Sequence, residues 1–348
     1  MAMKKSAIRR EYTAVDLFSG CGGLSLGLRK AGFVVGAAVE VDPIAAYAYR
    51  KNHPRTILLE KDIREVQASD LLRAAKLGKR TLDLLAGCPP CQGFSRIKRR
   101  NKKGVRDPRN GLVEEFLRIA LEIRPRLILL ENVPGLAASY RFKMFRRKLM
   151  ASGYSCDWSI LDAADFNVPQ RRKRLILVAS RIGKIEVPKN GNDDLKTVRM
   201  AIGKLRSPRN TKDPLHAMYL RNSRRIKQLI MKIPHDGGSR RTLPPRWRLD
   251  CHKNTSGFRD VYGRMGWDAV APTLTGGCFN PSKGRFLHPV RNRAITMREA
   301  ACLQSFPKRY YFPAKCGLSA IARLIGDALP PAFAYHQAKH LVSYLQET

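Results

Sequence analysis

Acidic residues are scarce in this sequence. It has 28 Asp and Glu against 66 Lys and Arg, which gives a formal net charge of +38 at pH 7. A surface that only has to stay in solution mixes both signs, whereas an excess of this size is typical of proteins that bind a polyanion, most often nucleic acid. The alternatives are a generally basic proteome or an association with the ribosome.

Long apolar runs and regularly spaced cysteines are missing as well. No stretch approaches the roughly 18 apolar residues of a membrane span. The basic start, residues 1–18, has no separate apolar segment of the kind found in signal peptides. The eight cysteines are not spaced as pairs, which fits a reducing compartment. We therefore expect a protein that is neither secreted nor inserted in a membrane.

The first half of the sequence alternates apolar runs with helical patterns. The apolar runs at 13–18, 34–42, 56–63, 81–87, 126–133 and 174–180 predict six strands. Continuous apolar strands separated by helices predict a parallel sheet covered on both faces, which is a doubly wound α/β domain. After about residue 184 the periodicity fades and Pro, Gly, Arg and Asn become frequent. With 348 residues, the chain is expected to form two lobes.

A glycine turn follows the first predicted strand. Gly20, Gly22 and Gly23 lie between that strand and a helix, where glycine lets the backbone approach a ligand and the helix offers free N–H groups. Glu40 and Asp62 come at the ends of the next two strands, so both carboxylates are expected at the same sheet edge as acceptors for ribose hydroxyls. The alternatives are structural glycines with solvated carboxylates, or a nicotinamide cofactor.

Two cysteines, Cys88 and Cys91, stand in a CPPC stretch after the fourth predicted strand. A structural zinc site needs four ligands, and the sequence has no second CxxC pair, so we expect no metal. A redox dithiol would suit a thioredoxin-like unit, whereas this pair lies beside the presumed cofactor edge. The pattern therefore favours one nucleophilic cysteine, with the other incidental.

Five ordered blocks carry a resemblance to a known family. They are "DLFSGCGG", "PPCQGFS", "ENV", "QRRKR" and "REAACLQSFP", and together they resemble the DNA cytosine-5 methyltransferases over nearly the whole chain. The resemblance implies a Rossmann-like, S-adenosylmethionine-dependent methyltransferase sheet with a smaller irregular target-recognition domain. It implies a catalytic domain at 1–183, the recognition domain at 184–290, and a bracing segment at 291–348 whose last helix returns to the catalytic domain.

The family also implies roles for individual residues. Cys91 is the nucleophile that adds to C6 of cytosine, Glu131 acts at N3 of the ring, and Arg172 and Arg174 hold the ring O2 and orient Glu131. Cys88 has no assigned role. The residues implied to bind S-adenosylmethionine are Phe18, Ser19, Gly20, Gly22, Gly23, Leu24, Glu40, Val41, Asp62, Ile63, Pro90 and Asp327. Asp327 departs from the Asn that is usual there, which removes an amide donor.

Because the target base lies inside a duplex, the resemblance implies that it is flipped out of the helix. The segment after the nucleophile carries eight Lys and Arg between positions 96 and 109, which fits contacts to phosphates. The residues implied to bind DNA are Gln92, Ser95, Arg96, Arg109 and Thr275.

The function implied is sequence-specific methylation of cytosine C5 in double-stranded DNA, in a restriction–modification system. We expect a monomer in the cytoplasm that is associated with the nucleoid through DNA. A separately acting cognate endonuclease is a candidate partner. The alternatives are a tRNA cytosine-5 methyltransferase, an inactive DNA-binding regulator of the same fold, and a nicotinamide-dependent oxidoreductase.

Overall fold

The computed structural model describes residues 11–90, 111–189, 191, 194–247, 249 and 260–348. Its centre is a seven-stranded sheet. The strands are β1 Tyr12–Leu17, β2 Phe33–Val39, β3 Ile57–Leu59, β4 Leu84–Gly87, β5 Leu127–Asn132, β6 Ser155–Asp162 and β7 Lys173–Ser180. Their order across the sheet is β3-β2-β1-β4-β5-β7-β6.

Helices connect the strands and then dominate the second half of the chain. The helices of the first half are α1 Gly23–Ala31, α2 Pro43–Asn52, α3 Ala68–Ala74, α4 Leu112–Ile123 and α5 Tyr140–Ala151. Those of the second half are α6 Val198–Ile202, α7 Pro214–Ala217, α8 Arg224–Lys232, α9 Met297–Leu303, α10 Gly317–Asp327 and α11 Pro331–Glu347. No helix among these described residues is long and apolar enough to cross a membrane.

The expected α/β sheet is confirmed, but the expectation that all its strands are parallel is wrong. Strands β1 to β5 are mutually parallel, whereas β7 runs antiparallel to both β5 and β6. The link between β6 and β7 spans only residues 163–172, and a parallel crossover needs a dozen residues or more. The sheet is therefore mixed, with an antiparallel edge.

Two predicted strands end earlier than expected, and each is stopped by a cap. The strand predicted at 34–42 ends at Val39 because the Asp42 side chain accepts from the N–H groups of Ile44 and Ala45, which starts α2. The strand predicted at 56–63 is only Ile57–Leu59, because Asp62 caps a short 3-10 turn. Both capping carboxylates therefore lie just beyond the carboxyl ends of strands.

Both faces of the sheet are covered by buried apolar side chains. On one face α4 and α5 contribute Phe116, Phe142 and Phe145. On the other face α1 and α11 pack together through residues such as Leu28 and Phe333. The last helix of the chain thus packs directly against the first.

The second half of the chain has two further cores. One joins α9 and α10 to Ala45 and Ala48 of α2, and so connects this half to the sheet. A smaller one packs Leu229 and Ile230 of α8 against Val261 and Leu287. The domain boundaries that we predict at residues 183 and 290 remain predictions.

Candidate active site

The predicted site lies at the carboxyl ends of the central parallel strands. Leu17 of β1 pairs with Val39 of β2 on one side and with Gly87 of β4 on the other, and Gly87 pairs with Leu130 of β5. The strand order changes direction between β1 and β4, and ligands of open α/β sheets bind in the crevice at such a point. The residues that follow these strands therefore line one crevice.

The turn after β1 has an unusual backbone. Phe18 has a φ of 59°, Gly20 of 55° and Gly22 of 95°, so three residues in five lie in the left-handed region. A bulky residue such as Phe18 rarely adopts this conformation, and such residues concentrate at functional sites. The N–H of Ser19 donates to the carbonyl of Val39 at 3.0 Å, which fastens the turn to the end of β2.

Glu40 closes the turn from the neighbouring strand. One of its carboxylate oxygens accepts from the N–H of Gly20 and the other from the N–H of Asp42, both at 2.7 Å. Burial raises the pKa of Glu40 above its ordinary value, while these hydrogen bonds act in the opposite direction. Each carboxylate oxygen has two lone pairs, so both can accept a further hydrogen bond from a ligand hydroxyl.

Next to Glu40, the Val41 side chain is 64% exposed. A carboxylate beside an exposed apolar side chain suits a ribose with its attached base. Helix α1 begins at Gly23, three residues after Gly20, which donates to Glu40, so the free N–H groups of its first turn lie near the same place. The carboxylate of Glu40, the apolar side chain of Val41 and the N-terminus of α1 together fit an adenosyl group.

The other predicted cofactor residues fall into two groups. The side chains of Leu24 and Ile63 are buried in the cores, so only their backbone is available to a ligand. Asp62 is half-buried, and its carboxylate accepts from the N–H of Arg64 at 3.0 Å. Pro90 is half-buried after β4, and Asp327 is exposed as the last residue of α10.

At the end of β5, the predicted catalytic carboxyl forms an ion pair. Arg174 Nε lies 2.8 Å from Glu131 Oε1, and the two side chains are only 14% and 10% exposed. This ion pair restrains the carboxyl of Glu131, and the catalytic roles implied for Glu131 and Arg174 stay predictions. Strand β7 pairs with β5 and brings the two side chains together. Glu131 of β5 lies opposite Ile176 of β7, and Arg174 is two residues before Ile176 on the same strand.

Cys88 lies beside this pair. Burial raises the pKa of its thiol well above the ordinary value, and the negative charge of Glu131 and a hydrogen bond to it act in the same direction. Only a thiolate is a good nucleophile, so Cys88 stays a protonated, unreactive thiol.

Arg172 belongs to the same "QRRKR" block as Arg174 but has different contacts. Its guanidinium is buried and donates to the carbonyls of Leu274 and Gly326, at 2.9 and 2.8 Å. Burial and, next, the positive charge of Arg174 lower the pKa of Arg172 to about 9. The contacts join the loop at 274 and the end of α10 to the sheet, so the described geometry gives Arg172 a positioning task.

Several predicted residues cannot be placed. Cys91, Gln92, Ser95, Arg96 and Arg109 all lie outside the described residues. Thr275 is half-buried, and its hydroxyl accepts from the N–H of Gly277 at 3.3 Å. The loop around it lies against Gly326, where an added Cβ would collide with the Thr275 carbonyl carbon.

One residue near the site had no role in the sequence interpretation. Asn132 Nδ2 donates to the carbonyl of Pro89 at 2.9 Å and is buried. It ties the end of β5 to the Pro-Pro segment that leads to position 91. The signal was available, because Asn132 is the central residue of the "ENV" block, but a sequence does not show which carbonyl an amide reaches.

Comparison with known proteins agrees with this arrangement. The family model described as C-5 cytosine-specific DNA methylase matches residues 12–343. The type II methylase M.HgiDII of Herpetosiphon aurantiacus is 36% identical over 345 residues, covering 95% of each chain. The type II methyltransferase M.XorII of Xanthomonas oryzae is 34% identical over 361 residues, covering 92% of this chain and 82% of its own.

Among solved structures, an E. coli prophage-encoded protein described as a DNA modification methyltransferase superposes with a TM-score of 0.74 at 24% identity. The match covers 97% of this chain and all of the other, and it shows the same fold. Sequence family, fold and the ion pair at the end of β5 agree. The chain belongs to the family of C-5 cytosine-specific DNA methylases and is an enzyme of that class.

Proposed function

We propose that this enzyme methylates C5 of a cytosine at a specific site in double-stranded DNA, within a restriction–modification system. The observation that carries the proposal is the shielded Glu131–Arg174 pair, set at the end of β5 beside the segment that leads to Cys91. The named relatives are type II methylases and support a role in host protection.

The chemistry explains why these side chains are needed. C5 of cytosine is a poor nucleophile, and addition of the Cys91 thiolate to C6 turns the ring into an enamine-like species whose C5 takes up the methyl group. During this addition negative charge develops at N3, and Glu131 acts there in its protonated form, in which its carboxyl group hydrogen-bonds to N3 or gives up its proton to it. Arg174 fixes that carboxyl before the substrate arrives, so little reorganisation is required during the reaction. After methyl transfer a base removes the C5 proton, and the Cys91 thiolate is expelled from C6.

S-adenosylmethionine fits the crevice beside the glycine turn and supplies, when bound, an electrophilic methyl group. Glu40 would accept from the ribose hydroxyls, and Val41 offers an apolar surface to the base. The first turn of α1 would face the charged end of the ligand with its free N–H groups. We propose these residues as the cofactor site.

The second half of the chain offers a surface for DNA. Helix α8 exposes Arg224, Arg225 and Lys227, and the sequence has no acidic residue from 218 to 235. Phosphate contacts position a protein on DNA, whereas contacts to base edges determine the sequence that is read. We propose that α8 contributes phosphate contacts and that one monomer acts on each flipped base.

The test is transfer of a labelled methyl group from S-adenosylmethionine to duplex DNA, with bisulfite sequencing of the product. Wild-type enzyme should methylate cytosine at one short recurring motif. Cys91→Ser should abolish transfer, whereas Cys88→Ser, the matched control in the same CPPC stretch, should retain most of it.

Transfer to tRNA instead of duplex DNA would support the RNA methyltransferase alternative. No transfer to any nucleic acid by a folded protein that binds the cofactor would support the inactive regulator. Equal loss of transfer in both serine variants would contradict the assignment of Cys91 as the only nucleophile.

A further inference from the structure

The peptide group between Cys21 and Gly22, at the centre of the glycine turn, is held at both ends. Its carbonyl, on Cys21, accepts from the hydroxyl of Tyr310 at 2.6 Å. Its N–H, on Gly22, donates to the carbonyl of Ser19 at 2.9 Å. The first of these bonds joins residues 289 positions apart, so a distant segment helps to fix the turn.

The directions of these hydrogen bonds identify a tautomer. A carbonyl can only accept, so the single proton of the Tyr310 hydroxyl is used on Cys21. His53 Nε2 lies 2.9 Å from the same hydroxyl and must therefore be the donor. The neutral ring then has its acceptor at Nδ1, where Arg29 offers an N–H at 3.4 Å. Burial, assisted by the charge of Arg29, lowers the pKa of His53 to about 4, so the ring is neutral at pH 7.

The position of Tyr310 is fixed by burial, by packing against two aromatic rings and by a hydrogen bond to its backbone. It is 5% exposed, and its ring packs at 4.7 Å from Phe306 and 5.4 Å from Phe312, centroid to centroid. Its own carbonyl accepts from Arg298 at 3.0 Å. An added Cβ at Gly22 would lie 2.8 Å from the Tyr310 hydroxyl, so the turn and the tyrosine are in direct contact.

A second link reinforces the same junction. Asn52 at the end of α2 donates to the carbonyl of Tyr311 and accepts from its N–H, both at 2.9 Å. The segment from α9 to residue 312 is thus docked on α2 and on the glycine turn together. A shift of this segment would remove the partner of the Cys21 carbonyl.

We propose that Tyr310, oriented by His53, is a positioning residue that sets the Cys21–Gly22 peptide for binding of S-adenosylmethionine. The affinity for the cofactor then depends on docking of a segment that follows the target-recognition region. The inference rests on the proposed cofactor site and adds to it a residue that does not itself touch the ligand.

The test measures the dissociation constant of S-adenosylmethionine by calorimetry. Tyr310→Phe keeps the ring but removes the hydroxyl that donates to the Cys21 carbonyl and accepts from His53 Nε2. We expect roughly tenfold weaker binding, which corresponds to about 1.4 kcal/mol, because the Cys21–Gly22 peptide loses the hydrogen bond that fixes it.

The matched control is Tyr154→Phe. Tyr154 is also buried, and its hydroxyl donates to the backbone carbonyl of Pro125 at 2.7 Å, away from the glycine turn. This variant loses the same kind of bond, so its thermal unfolding should change by a similar amount while its cofactor affinity stays that of the wild type.

A second pair of variants tests the direction of the hydrogen bond. His53→Gln keeps an N–H donor and should bind the cofactor better than His53→Leu, which has none. Equal affinity in the wild type and Tyr310→Phe would overturn the inference, as would weakening by Tyr154→Phe to the same degree. A wild-type protein that bound no S-adenosylmethionine would overturn the cofactor proposal itself.

Discussion

At the scale of the residue, the Glu131–Arg174 pair combines two demands. The carboxylate must be available to the substrate, yet it is mostly shielded from water, so it needs a cation nearby. Removal of one member of a shielded pair leaves an uncompensated charge and costs more than the pair contributes. The pair therefore links stability and activity at one position.

Arg174→Met should lower both the stability and the rate of methyl transfer. We expect a loss of about 2–4 kcal/mol in the free energy of unfolding, because Glu131 is left without its partner. Urea denaturation and single-turnover transfer would measure the two effects. In the control Arg171→Met, a side chain that is 51% exposed loses its contacts to Asp162 and Asp165, and stability should change by less than about 0.5 kcal/mol. Similar losses in both variants would contradict the assignment.

Asp16, buried in β1, predicts a dependence of stability on pH. Burial raises its pKa from 3.8 to about 7, although a hydrogen bond from Ser25 acts against this. The folded protein thus holds this proton more tightly than the unfolded chain. Stability relative to Asp16→Asn should fall as the pH rises from about 4 to about 7, by on the order of 4 kcal/mol, and level off above. Urea unfolding of the wild type and of Asp16→Asn at several pH values measures this difference in stability. The same pH dependence of stability in both proteins would contradict the prediction.

A side-chain contact could be anticipated only where the resemblance names both partners. The resemblance names Glu131 and Arg174, and these two side chains form an ion pair, while their catalytic roles stay predictions. Arg172 belongs to the same "QRRKR" block, but its partners are the carbonyls of Leu274 and Gly326, which are 102 and 154 positions away. A backbone carbonyl carries no residue-specific signal, so a sequence does not indicate which one a guanidinium will reach.

At the scale of the element, helices α1 and α11 approach closely at Gly27. A Cβ added there would lie 2.7 Å from the backbone nitrogen of Tyr335 and would also collide with Ala334. Alanine is the better helix former by up to about 1 kcal/mol, so intrinsic propensity alone predicts that Gly27→Ala is stabilising.

We expect Gly27→Ala to destabilise the protein by about 1–3 kcal/mol, because the collision with backbone forces the two helices apart. Chemical denaturation would measure the change. Lys30→Ala, an exposed substitution in the same helix, should stay within about 0.5 kcal/mol. A stabilising Gly27→Ala would show that the helices can separate without cost.

The elements of the first half were largely predictable because their strands are continuous apolar runs. Strand β6 was not, because it forms the edge of the sheet and most of its residues are only half-buried. Its sequence, SCDWSILD, has no apolar run, and its pairing with β7 depends on contacts outside the segment. The antiparallel direction of β7 was also missed, because the short connection from β6 decides the direction of β7 and its own sequence does not.

At the scale of the whole molecule, the charge of +38 should dominate binding to DNA. Affinity for any duplex should fall about a thousandfold or more between about 50 and 200 mM salt, because cations are released from the phosphates on binding. Binding of S-adenosylmethionine should change by less than about twofold, since its predicted contacts are short and shielded. Fluorescence anisotropy of a labelled duplex measures the affinity for DNA across this range, and calorimetry measures the affinity for S-adenosylmethionine. A shallow dependence for DNA would contradict a phosphate-dominated interface.

The packing of α11 on α1 has a consequence for biosynthesis. The chain leaves the ribosome with α1 first, and α11 follows some three hundred residues later. At a synthesis rate of roughly 5–20 residues per second, the apolar face of α1 stays exposed for tens of seconds before α11 can pack on it. During that time the glycine turn beside α1 lacks both this support and the hydroxyl of Tyr310. Nascent chains on polysomes are therefore expected to be inactive, and modification of DNA begins only with finished molecules.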